Sequence, residues 1–133
     1  MRRAIFPLLF LACSLALGGC GEKTSPTRLT QESGSLTATL AVVPYPPVPM
    51  RDATLELTLR DAQGQPLSGA SVRFGLTMPD CISMPPNKPE ATEADPGVYR
   101  AQTIFTMAGA WQIDAEVSRA GESEQFTFFL ATK

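Results

Sequence analysis

From Leu36 onward, apolar residues recur at every second position in short runs, and Pro, Gly, Asn or Asp clusters cut the runs apart. A period of two puts alternate side chains on opposite faces of an extended chain, so each run reads as a half-buried strand. Leu36, Ala38, Leu40 and Val42 form the first run, and Leu55, Leu57 and Leu59 the second. Val72, Phe74 and Leu76 follow, then Val98 to Phe105, then Trp111, Ile113, Ala115 and Val117, and finally Phe126, Phe128 and Leu130. The proline-rich run Pro44-Tyr45-Pro46-Pro47-Val48-Pro49 lacks amide donors and reads as a stiff connection. Residues 80–96 read as mostly loop, with room for one short strand. Six to seven strands at hairpin spacing predict an all-β chain: an antiparallel immunoglobulin-like β-sandwich, with a small barrel as the competing architecture. Its core is expected on Leu55, Leu57, Leu59, Phe74, Tyr99, Trp111 and the phenylalanines near the end.

The first residues follow a different rule. Met1-Arg2-Arg3 precedes an apolar run from Ala4 to Leu17, which closes on Leu17-Gly18-Gly19-Cys20. A basic start, a short apolar middle and small residues at the cut are the layout of a secretory signal peptide. The run is short of the roughly 20 apolar residues that a membrane-spanning helix needs. Leu-Gly-Gly-Cys resembles the bacterial lipobox, which implies that Cys20 receives a diacylglycerol and becomes the first residue of the mature chain. Each buried CH₂ contributes about 0.8 kcal/mol, so two or three acyl chains make a durable anchor. The chain therefore divides into a signal peptide over 1–19, a polar lipid-anchored tether over 20–35 and a sandwich domain over 36–133. The expected location is the cell envelope. Gly21, a non-aspartate after the lipidated cysteine, implies the outer membrane if the cell has two.

Loss of Arg2 and Arg3 leaves nine basic against thirteen acidic residues, a formal charge of about −4. No basic patch invites nucleic acid. The chain has no histidine, which removes the commonest general base and the commonest metal ligand together. Neither a nucleophile elbow nor a phosphate-binding glycine loop is present, so no enzyme is expected. Glu90, Glu93 and Asp95 read as a solvated acidic run. Of three cysteines, Cys13 leaves with the signal and Cys20 is spent on lipid. Cys81 is then the one remaining thiol, without a disulfide partner in the domain.

More specific than the strand pattern is an order of short motifs. Met78-Pro79-Asp80-Cys81-Ile82-Ser83-Met84-Pro85-Pro86-Asn87 is followed by Pro96-Gly97-Val98-Tyr99, and that by Phe105-Thr106-Met107-Ala108-Gly109-Ala110-Trp111. This order resembles the YtkA-like family, whose relatives include FixH-type proteins, over about Leu36 to Leu130. The resemblance implies an immunoglobulin-like sandwich, usually membrane-attached, with relatives linked to copper handling or oxidase assembly. The chain departs from that pattern at Cys81, where a methionine is common, in an extra loop residue and in its lack of histidine.

Met78, Cys81 and Met84 are soft donors at i, i+3 and i+6 on a proline-bounded loop, and soft sulfur selects Cu(I). Met107 is a fourth candidate if the family strand order holds, and Met50 a weaker one. In the other reading, the methionines are adaptable apolar fillers at one end of the sandwich. Two functions therefore stay open. One is a Cu(I)-binding envelope lipoprotein. The other is a lipid-anchored, metal-free module that serves an envelope protein partner.

Overall fold

Ala53, Leu55, Leu57 and Leu59 point inward from one strand and Trp111, Ile113, Ala115 and Val117 from another, and both sets are buried. Burying these rows from water, at about 1.5–3 kcal/mol for each large side chain, requires two sheets face to face. The computed structural model describes residues 27–133 and shows that arrangement. Eight strands form: β1 Arg28–Ser33, β2 Leu36–Val43, β3 Asp52–Arg60, β4 Ser71–Thr77, β5 Thr92–Asp95, β6 Val98–Ile104, β7 Gly109–Arg119 and β8 Glu122–Thr132. One sheet has the order β1-β2-β3-β6-β5 and the other β4-β7-β8, and all pairings are antiparallel. Without β1, this is the four-plus-three strand order of the immunoglobulin constant-type sandwich. There is no helix among the described residues.

The expected core is buried as read: Leu55, Leu57, Leu59, Phe74, Tyr99, Trp111, Phe126 and Phe128 all face the space between the sheets. Phe129 does not. It falls on the outer phase of β8 and is 63% exposed.

Two sequence expectations need correction. The tether was expected over 20–35, yet Arg28–Ser33 is a strand that pairs with β2 from Arg28↔Ala41 to Ser33↔Leu36. Polarity misled here because β1 is an edge strand, largely exposed, whose stability comes from its ladder more than from buried side chains. Gly34, at φ +58°, makes the tight turn into β2. β1 also raises the strand count to eight, above the six to seven expected. The signal peptide over 1–19, Cys20 and the first part of the tether lie outside the described residues.

The stretch between β4 and β5 is more ordered than a loop. Phe74 N–H donates to the Pro89 carbonyl at 2.9 Å, and Ala91 N–H to the Val72 carbonyl at 3.0 Å. Leu76 and Asn87 exchange both backbone bonds, at 2.8 and 3.2 Å. Residues 87–91 thus run antiparallel along the free edge of β4 before the chain crosses to the other sheet as β5. Asn87 Nδ2 then donates to Thr103 Oγ1 on β6 at 2.8 Å, a side-chain bond between the two layers.

Candidate functional site

β2 and β6 finish at the same end of one sheet, and the short 105–108 connection brings the chain from there to the start of β7, which lies beside the end of β4. The connections leaving β2, β4 and β6, over 44–51, 78–91 and 105–108, gather there. Met50 lies on the first, Met78, Cys81 and Met84 on the second, and Met107 on the third. The fold therefore carries every sulfur candidate to the same end.

The connections hold one another. Met50 N–H donates to the Phe105 carbonyl at 2.7 Å, which ties the first to the third. Met50 itself has φ 60°, in the left-handed region that side chains other than glycine rarely adopt. In the second connection, Cys81 N–H donates to the Met78 carbonyl at 3.0 Å and Met84 N–H to the Cys81 carbonyl at 3.3 Å. Two successive turns thus compact the segment, with one sulfur residue at each junction.

Met78 and Met84 both lean on the connection that bears Met107. The Met84 sulfur accepts from Thr106 Oγ1 at 3.6 Å. The Met78 methyl lies so close to Gly109 that an added Cβ there would meet it at 3.0 Å. Met107 stands between these two contacts in sequence. Its carbonyl accepts from Trp111 Nε1 at 3.0 Å and from Thr132 Oγ1 at 2.8 Å. Trp111 is in turn edge-on to Phe105, with ring centroids 5.2 Å apart. The floor under the sulfur residues is therefore rigid.

Met78 and Met84 are half-buried against the core, Cys81 is half-buried, and Met107 and Met50 are exposed. Sequence reasoning missed Thr106, which orients the Met84 thioether, and Thr132, which shares in fixing Met107. No sequence signal marks either one, because both roles arise from contacts between connections distant in the chain. Among the described residues no three of His, Cys, Asp and Glu gather as they would around a harder metal. The residues that share this end of the sandwich carry thioether and thiol groups.

The YtkA-like family model matches residues 30–116, from the middle of β1 to near the end of β7. The chain belongs to the YtkA-like family. No curated protein sequence is significantly similar to this YtkA-like chain. Among solved structures it is similar to a DUF4426 family protein from Pseudomonas aeruginosa, with 15% identity over 78% of this chain and 93% of that one, and a TM-score of 0.56. The copper-reconstituted P19 protein from Campylobacter jejuni is similar at 11% identity, over 80% of this chain and 94% of that one, with a TM-score of 0.55. FetP from uropathogenic E. coli is similar at 10% identity over 80% and 94%, with a TM-score of 0.52. At these identities the likeness is one of fold.

Proposed function

We propose that this chain is an envelope lipoprotein, anchored through Cys20, whose YtkA-like sandwich binds Cu(I) at its sulfur end in copper handling or oxidase assembly. The observation that carries the reading is that Met78 and Met84 both abut the connection bearing Met107, with Cys81 at the junction between them. The donor set fits the ion: thioethers are soft, neutral ligands that favour Cu(I), and a set with one thiolate and no histidine leans away from Zn(II) and Cu(II). Met78, Cys81 and Met84 would hold the ion, with Met107 as the added donor. Loss of the Cys81 proton would supply the negative charge that thioethers lack. No catalytic role is assigned, and the protein is read as a binder. A P19 structure that holds copper on the same fold supports the reading at the level of the scaffold alone.

A competition titration with Cu(I), on the reduced chain lacking its signal, tests this. Cys81→Ser, and separately Met78→Leu with Met84→Leu, are each expected to weaken binding by at least about tenfold while the β-type circular dichroism is kept. Equal affinity in all three proteins, or none in the wild type, overturns it. That result would favour the metal-free interaction module, in which Met78 and Met84 serve as packing against the core. Intact mass of membrane-extracted protein tests the anchor. An unmodified Cys20 or another mature start overturns that part.

A further inference from the structure

At the end of the sandwich away from the sulfur residues, three connections meet round a cleft between the sheets. They are the turn from β1 into β2, the turn from β7 into β8 and the connection from β3 to β4. The cleft has a volume of about 140 Å³, and its apolar lining is Leu36, Leu67 and Val117. Leu67 and Val117 are buried and Leu36 is half-buried, so the cleft opens onto the core itself. Arg119 and Glu122, both exposed, and Glu124, half-buried, complete the lining.

The surroundings of the cleft are fastened to one another. The Ser33 hydroxyl donates to the Glu124 carboxylate, which ties the end of β1 to β8. Arg119 Nε donates to the Ser68 carbonyl at 3.1 Å, which ties the end of β7 to the connection between β3 and β4. Leu67 N–H donates to the Leu59 carbonyl at 3.0 Å, and the Leu67 carbonyl accepts from the Tyr99 hydroxyl. Walls held in this way do not collapse to fill the space, and a pre-formed apolar recess with a few polar groups is the usual form of a small-molecule site. A cavity of about 150 Å³ lined by aliphatic side chains holds a single benzene ring. Charge selects among ligands of that size. Two carboxylates face one guanidinium here, and Arg119 already engages Ser68. The lining thus bears a net negative charge, which favours a cation.

We infer that this cleft binds a small organic ammonium, with a single ring or short branched chain held against Leu36, Leu67 and Val117 and its cation beside Glu122 and Glu124. The site lies at the opposite end from the sulfur residues, and it rests on neither the anchor nor the copper reading.

Magnetic resonance titration of the isotope-labelled chain lacking its signal, at about pH 7, tests this with three probes: benzylammonium, benzoate and methylammonium. Benzylammonium is expected to move the amide signals of Leu36, Leu67, Val117 and Glu122 saturably, and to bind at least about fivefold tighter than either other probe. Glu122→Gln with Glu124→Gln removes both charges and leaves an acceptor for the Ser33 hydroxyl. In that variant the fold is expected to persist and the preference over benzoate to vanish. Absence of saturable binding, or benzoate or methylammonium binding as tightly as benzylammonium, overturns the site and leaves the cleft as a gap in packing. So does an unchanged preference in the double variant, or signal movement scattered away from the cleft.

Discussion

The Tyr99 hydroxyl donates to the Leu67 carbonyl at 2.7 Å and accepts from the Ala70 amide at 3.1 Å. One phenol on β6 thereby satisfies two backbone groups of the connection between β3 and β4. Burial raises the Tyr99 pKa above its ordinary value, so the donor stays protonated across the physiological range. Tyr99→Phe keeps the ring and leaves both groups without a partner. It is expected to cost about 1–3 kcal/mol in urea unfolding, with an unchanged m-value.

Glu93 sits on the neighbouring strand, β5, and clamps the same region. Its carboxylate accepts from the Gly69 amide at 3.1 Å and the Gly97 amide at 3.2 Å. These bonds, with the Gly69 amide first, then the Ser68 hydroxyl and the Gly97 amide, hold its pKa below the ordinary 4.5. The stabilisation is therefore complete above about pH 4.5 and is lost as pH falls through the lower folded-state value. Glu93→Gln should lower the thermal midpoint relative to wild type at pH 7, and the gap should close on acidification below pH 4. A gap independent of pH would show that the carboxylate charge plays no part.

Gly97 and Gly64 separate two kinds of glycine requirement. Both have φ near +75°, at +74° and +76°. A Cβ on Gly64 meets nothing within 4 Å, so Gly64→Ala bears only the left-handed penalty, about 1 kcal/mol. A Cβ on Gly97 would lie 2.9 Å from the Leu59 carbonyl oxygen and 2.9 Å from Pro66 Cβ. Gly97→Ala is expected to cost about 3 kcal/mol or more, because backbone must move. Comparable losses in the two variants would refute this placement of Gly97.

On the proposed copper reading, Cu(I) must displace the Cys81 proton. Affinity should therefore rise with pH in the wild type and stay flat in Cys81→Ser. Parallel pH profiles, measured by competition titration from pH 6 to 8, would remove the thiol from the ligand set.

The strands that bury one face were legible because leucine, phenylalanine and valine alternate there without interruption. β1 was not: Arg28, Gln31 and Glu32 are polar, and nothing in their order distinguishes an edge strand from a tether. The pairing of 87–91 along β4 was hidden for a related reason. Pro89 lacks an amide donor, yet on an edge its carbonyl suffices, accepting from Phe74. At the sulfur end the sequence showed the donors and their spacing within one connection. It could not show that Thr106 and Gly109 would be the surfaces Met84 and Met78 lean on, because that depends on β4 and β6 ending at the same level in different sheets.

The paired bonds between Leu76 and Asn87 close a neck beneath the sulfur segment, and the Asn87 side chain fastens that neck to β6. Beyond the neck, Met78 and Met84 reach back to Gly109, Thr106 and the core, while Ile82 between them is almost fully exposed. The exposed residues there, Asp80, Ile82 and Ser83, can be exchanged without disturbing the register on which the core depends. The tip of the segment between Thr77 and Asn87 can thus change in sequence while the two sheets and their register stay as they are.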